Sequence, residues 1–234
     1  MLRLDKYLAH SGYGSRKYVK DIIRKGNVIV NGEVIRDDDY KVNEVEDEVV
    51  VYDKAVDYKK FIYIMLNKPQ GYLSASFDKK AVTVLDLVKE YDYFNLFPVG
   101  RLDKDSEGLL LISNDGKLAH RLLHPSYHVY KTYLVTTDFE IKEELIQKFK
   151  DGVTLDDGYL CLPAGLEIID SHSAKVTIKE GKFHQVKRMF EAFNITVLSL
   201  KRLTFKNLVL DENLKPGEYR LLTDEEIADL VKEN

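Results

Sequence analysis

The sequence predicts an α+β protein with a small basic N-terminal part and a larger body. Three observations carry that expectation. Helical-period and strand-like runs are mixed along the chain. Charge is unevenly distributed, with a basic start, an acidic connector and a mildly basic remainder. Between Pro98 and Gly116, PVGRLDKDSEGLLLISNDG has the rhythm of strand, polar turn, buried strand and turn. At 234 residues the chain has room for one large domain or two unequal ones.

Residues 1–36 hold eight Lys/Arg and three acids, net +5, and residues 37–57 hold nine acids and two lysines, net −7. Residues 211–234 are net −5, which leaves about +3 for 58–210 out of a total of −4. Clustered positive charge is the footprint of a phosphate-backbone partner. A single cysteine, Cys161, excludes an internal disulfide and fits a reducing, cytoplasmic setting. No apolar run approaches the ~18 residues of a membrane span, and no signal-peptide core is present.

Leu2, Leu4, Tyr7 and Leu8 fall near helical spacing, and Gly12 closes that helix. Ser15 reads as the N-cap of a second helix, Arg16 to Arg24, with Val19, Ile22 and Ile23 on one face. Gly26 reads as its C-cap. Val28–Val30, Asn31-Gly32 and Glu33–Ile35 read as a hairpin with a type I′ turn. Asp37 to Asp57 reads as one more strand and then a linker, and its charge should face away from a phosphate partner.

In the body, Phe61 to Leu66 is an apolar strand and Asn67 to Gly71 a turn. Val84 to Tyr93 reads as an amphipathic helix. Val99 to Leu102 is extended, Asp103 to Gly108 a polar turn and Leu109 to Ile112 a buried strand. Lys117 to Leu123 is a helix stopped by Pro125. Tyr130 to Val135 is a strand, Ile141 to Phe149 a helix, and Val176 and Ile178 alternate as in a strand. Val186, Met189, Phe190 and Phe193 form a helix face, and Leu198 to Leu210 is strand-like. Thr223 caps a short acidic helix at the end.

Asp103 falls where a strand runs into a loop, between Arg101 and Lys104. Cations there would keep a nucleophilic carboxylate ionised. Taken alone, an aspartate in such a loop is most often a turn residue. His120 and His124 have i, i+4 zinc spacing, but no cysteine or H-E-x-x-H glutamate accompanies them. They read as structural or RNA-facing, and no metal site is expected.

G-R-L-D, a glycine and then L-L-L-I-S-N-D-G resemble the signature of the pseudouridine synthases, in the RsuA/RluB branch. The resemblance implies that Asp103 is the nucleophile. N-K-P-Q-G, at residues 67–71, is a second family marker. K-T-Y-L-V resembles the motif whose tyrosine, here Tyr133, stacks on the target base and could move a proton from the sugar. E-G-K-F-H-Q-V-K-R-M-F resembles the motif whose basic residue pairs with the aspartate. That residue is Lys187 here, and since many relatives have arginine the pairing should be monodentate. R-L-D-K-Y-L-A, S-R and G-x-V-x-V-N-G resemble an S4 RNA-binding domain, implying phosphate contacts from Arg3, Lys6, Arg16, Lys17, Lys20 and Lys25. Arg101 is the candidate for filling the space of a flipped base or gripping the backbone, with Lys182 and Arg188 as further RNA-facing cations.

The resemblance implies an S4 domain at 1–56 and, at 60–234, a catalytic domain on a mixed, mostly antiparallel sheet. It implies isomerisation of one uridine in small-subunit ribosomal RNA, without cofactor, metal or membrane. A monomer acting on a partly assembled subunit is expected. Alternatives are a large-subunit rRNA synthase of the RluB type and a non-catalytic S4 assembly factor. A hydrolase using Asp103 with Asp105 or Glu107 is disfavoured, since no apolar pocket is evident to raise one carboxyl.

Overall fold

The computed structural model describes residues 1–232. The chain divides into two compact units. One holds Met1–Ile62 and Val88–Leu96; the other holds Tyr63–Leu87 and everything described from Phe97 onward.

The first unit begins with β1 (Leu2–Arg3) and α1 (Leu4–His10), followed by α2 (Arg16–Arg24). Ser15 caps α2 by accepting a hydrogen bond from the Tyr18 amide. The hairpin follows as β2 (Val28–Val30) and β3 (Glu33–Val34); Asn31 and Gly32 both take positive φ, at 51° and 83°, as a type I′ turn requires. The acidic stretch departs from expectation. It forms β4 (Lys41–Val42), β5 (Val49–Val51) and β6 (Lys54–Ala55). Among the described residues β3-β2-β5-β6 make one sheet, and β1 pairs with β4 in another. Leu4, Tyr7, Leu8, Val19, Ile22 and Ile23 pack against the valines of these strands to form the core.

The acidic stretch also folds back onto the basic helices. Asp38 pairs with Arg24 and Lys20, and Asp39 with Arg3. Asp5, fully buried, accepts from Arg3 and Arg16. Burial alone would raise its carboxyl, but those two guanidinium bonds outweigh it and hold it down at about 2.

In the second unit the strands are β7 (Tyr63–Lys68), β8 (Phe97–Val99), β9 (Glu107–Ser113), β10 (Lys131–Thr137), β11 (Gly165–Asp170), β12 (Ser173–Ile178), β13 (Val197–Phe205), β14 (Leu208–Val209) and β15 (Tyr219–Leu221). The helices are α3 (Gly116–Leu123), α4 (Glu144–Asp151), α5 (Gln185–Glu191) and α6 (Asp224–Val231). Among the described residues these strands form one sheet in the order β11-β12-β10-β13-β9-β7-β15, with β8 beside β9 and β14 beside β13. Its pairings are antiparallel except β9 with β13. It is therefore mixed and mostly antiparallel, as expected. The residues of β9 from Gly108 to Ser113 are all buried, which explains their unbroken apolar run. Asp115 starts α3 by accepting from the amides of Lys117 and Leu118, and Thr223 and Glu226 close a capping box on α6.

Three expected elements shift. The extended run before Asp103 lies at Phe97–Val99, and 100–106 is loop. α4 starts at Glu144, three residues later than the pattern suggested. The helix expected over 84–93 is two 3-10 segments, Val84–Leu87 and Lys89–Phe94. The Asp86 carboxylate accepts from the Thr83 amide and hydroxyl, a local alternative to helical bonding. The chain then leaves helical geometry at Val88, where it passes from one unit to the other.

Candidate active site

The site is built on the loop between β8 and β9. Its backbone is held from several sides. The Ser74 hydroxyl donates to the Leu102 carbonyl at 2.8 Å and accepts from the Leu102 amide at 3.0 Å. The Gly71 amide donates to the Lys104 carbonyl at 2.7 Å, and the Ser106 amide to the Asp103 carbonyl at 3.1 Å. Lys68, at the end of β7, has no exposed surface. Its ammonium donates to the carbonyls of Ser106 at 2.8 Å, Asp103 at 3.0 Å and Pro69 at 3.1 Å, with Lys104 at 3.4 Å. Burial pushes Lys68 down to about 8, against the opposing pull of Asp103, Asp105 and Glu107. A cation in that position draws several loop carbonyls to one point.

The loop presents Asp103 to an open cleft of about 450 Å³ lined by Gln70, Gly71, Asp103, Lys104, Asp105 and His184. Lys187, in the first turn of α5, has its ammonium 3.7 Å from Asp103 Oδ2. The His184 Nε2 lies 3.6 Å from Asp103 Oδ1. The side chains that face Asp103 thus include the His184 imidazole and the Lys187 ammonium of α5, and the sequence neighbours Arg101 and Lys104 are exposed. Lys187 makes its short bonds elsewhere, to both oxygens of Asp105 at 2.7 and 2.8 Å. That bond holds the Asp105 carboxyl below its ordinary range.

Tyr133 is buried in the middle of β10, opposite Val176 of β12 and Arg202 of β13. It is not part of the cleft lining. Arg202 lies in register with Gly108, at the start of β9, and its Nε donates to the Leu109 carbonyl at 2.7 Å. Tyr133 is therefore two strands away from the strand that leaves the Asp103 loop.

The expected RNA-facing cations fare unequally. Arg188 is paired with Asp156 and Asp157, which hold its guanidinium up. Lys182 is exposed and sits over the Tyr159 ring at 4.3 Å. Arg3, Arg16, Lys20 and Lys25 all have carboxylate partners. Lys6 and Lys17 are exposed and, among the described residues, have no such partner.

Lys68 and His184 escaped the sequence reading as parts of the site, and Asp105 entered it only in the disfavoured hydrolase reading. A lysine at the end of an otherwise apolar strand run was the available signal for Lys68. For His184 the signal was its place beside a phenylalanine in a polar turn. Among the described residues no cluster of metal-ligating side chains occurs, and no helix is long and apolar enough to cross a membrane.

Comparison with known proteins places these features. Residues 62–192 match the RNA pseudouridylate synthase family and residues 2–49 the S4 domain. An uncharacterized RNA pseudouridine synthase of Bacillus subtilis is 49% identical over 231 residues, 97% of each chain. Ribosomal small subunit pseudouridine synthase A of Escherichia coli is 39% identical over 231 residues, covering 98% of this chain and all of its own. A crystal structure of a pseudouridylate synthase superposes with a TM-score of 0.70 at 37% identity, over 99% of this chain and all of that one. With a family match across the loop, the cleft and α5, and full-length relatives on both sides of it, the chain belongs to the RNA pseudouridylate synthases, in the S4-bearing RsuA family.

Proposed function

We propose that the protein isomerises one uridine of small-subunit ribosomal RNA to pseudouridine, with Asp103 as the nucleophile. The observation that carries the reading is the clamped loop, which presents Asp103 to the cleft between Lys187 and His184. The carboxylate adds to the reacting nucleoside, the N–C glycosidic bond breaks, and the base turns. A C–C bond from the sugar to the base carbon then forms as the carboxylate leaves, that carbon giving up its proton and the freed ring nitrogen gaining one. The heavy atoms of the uridine are all kept, so the residues of the cleft need only bind, orient and move protons. The uridine must leave the stack to reach Asp103, and an open cleft suits a flipped base. The motif resemblance assigns Tyr133 to the base and sugar, although its side chain is buried in β10 outside the cleft lining; Arg101 is assigned to the vacated space, and Lys6 and Lys17 to phosphates.

The small subunit is favoured by the relatives that carry that name. One flipped base offers few contacts, so a structured or partly assembled subunit is the substrate, met in the cytoplasm by a monomer. Incubation with unmodified small- and large-subunit rRNA, free and partly assembled, followed by carbodiimide mapping, tests this. A new pseudouridine is expected in the small-subunit RNA, best in the assembled form. One found only in the large-subunit RNA overturns the target assignment. Asp103→Asn should form none while still binding RNA, and full modification by that variant removes Asp103 from the chemistry.

A further inference from the structure

Phe183 carries a large apolar ring that is 76% exposed. It lies in the turn between β12 and α5. Its ring stacks on that of His184, with centroids 3.8 Å apart and planes 19° from parallel. His184 is itself held in the left-handed region, at φ 50° and ψ 30°, which non-glycine residues adopt infrequently. The turn around the pair is braced. The Lys182 amide donates to Gln185 Oε1 at 2.9 Å, the Gln185 amide group donates to Glu180 at 2.9 Å, and the Lys182 ammonium rests over Tyr159. Glu180 in turn accepts from the Tyr159 hydroxyl at 2.7 Å and the Leu162 amide at 2.8 Å.

The His184 ring thus has two neighbours. Its Nε2 edge is 3.6 Å from the Asp103 carboxylate, and its face is covered by Phe183. The phenylalanine buries its inner face on His184 and leaves the rest of the ring open to solvent. An exposed aromatic ring, rigidly backed by a second ring at stacking distance, is a surface for a third flat ring. Beside a cleft read as taking RNA, whose lining includes His184, that ring is a nucleobase.

We propose that Phe183, backed by His184, is the stacking platform for a nucleobase flanking the target uridine. The proposal rests on the pseudouridine-synthase reading of the cleft. The occupant is a flanking base because Asp103 must meet the target uridine itself, while Phe183 lies on the face of the imidazole whose Nε2 edge meets Asp103. Stacking tolerates any base, so the platform would set the register of the strand and hold the flipped nucleotide in place without reading sequence.

Phe183→Leu, Phe183→Tyr and the wild-type protein are compared on unmodified, partly assembled small-subunit rRNA. Single-turnover rates and affinity are measured, and ultraviolet cross-links are mapped by mass spectrometry. Phe183 is on the surface, so both variants should melt with the wild type. Loss of the planar ring in Phe183→Leu should lower kcat/KM about 10- to 100-fold, and Phe183→Tyr should restore it. Phe183 should cross-link to a nucleotide next to the one modified. Equal kcat/KM for Phe183→Leu, or cross-links from Phe183 only to a ribosomal protein, overturns the platform. If the wild type forms no pseudouridine, the functional reading fails on its own. The cross-link still decides the platform: a base bound at Phe183 upholds it, and none removes it.

Discussion

At the scale of single residues, Lys187 stands between two carboxylates. It hydrogen-bonds Asp105 with both oxygens and reaches Asp103 only at 3.7 Å. Asp105 therefore steers the ammonium, and Asp103 keeps its lone pairs clear of a short bond. Lys187→Met should lower the single-turnover rate about 10- to 100-fold, about 1.4–2.7 kcal/mol of barrier, since the partly exposed Asp103 is partly screened. Affinity for rRNA should change little. An unchanged rate with weakened binding would make Lys187 a phosphate contact instead. Lys68 acts on the same loop through its backbone. Its folded-state value, about 8, is below the ordinary 10.5. The protonated form therefore costs the folded state stability below pH 8, and that cost is lifted as pH rises from 8 to 10.5. The clamp runs the other way, because a neutral amine has fewer protons to donate to four carbonyls. Turnover should thus fall on an alkaline limb near pH 8 while the melting temperature does not fall with it. Lys68→Met should abolish that limb, leaving a low, pH-independent rate. A wild-type profile flat to pH 10 would contradict this.

At the scale of elements, the parallel contact of β9 with β13 sets where the Asp103 loop ends. Gly108 has a φ of 100°, and a Cβ there would lie 2.2 Å from the Arg202 carbonyl oxygen and 2.7 Å from its amide nitrogen. Neither backbone atom can swing aside as a side-chain tip could, so only glycine fits the approach. Gly108→Ala should destabilise the protein by about 2–6 kcal/mol, combining about 1–3 for the disfavoured backbone region with about 1–3 for overpacking. Chemical denaturation should show a lower midpoint. A variant as stable as the wild type would mean that the strands separate freely at this point. The glycine was legible in the sequence as the end of a polar turn. Its close partner was not, because Arg202 is ninety-four residues away in the chain.

At the scale of the molecule, an overall charge of −4 conceals a basic first unit. Many of its cations are neutralised within the unit, by Asp5, Asp21, Asp38 and Asp39. On the proposed reading, phosphate binding falls to cations without such partners, Lys6 and Lys17 first. Lys6→Ala and Lys17→Ala, made in the full chain, should each lower the log–log salt slope of rRNA binding by roughly 0.7–0.9, with additive effects. Titrations across salt concentrations read this directly. A double variant with the wild-type slope would mean that both lysines face solvent in the complex.

The sequence by itself determined whatever depends on near neighbours in the chain. The cap at Ser15, the Asn31-Gly32 turn, the buried run of β9 and the capping box at Thr223 follow from local hydrogen bonding and periodicity, and they appear where expected. The motif wording likewise placed Asp103 and Lys187, and the family is the one it implied. The tertiary structure alone decided the partners that no motif named. Charge acts through space, so the His184 imidazole joins Lys187 beside Asp103 while the sequence neighbours Arg101 and Lys104 stay exposed, and the acidic stretch pairs with the basic helices. It also decided the fate of Val84 to Tyr93, where helical spacing was present but the chain had to pass between two units. Burial of Lys68 belongs to the same class, because a lysine reads as a surface residue until loop carbonyls far along the chain converge on its ammonium.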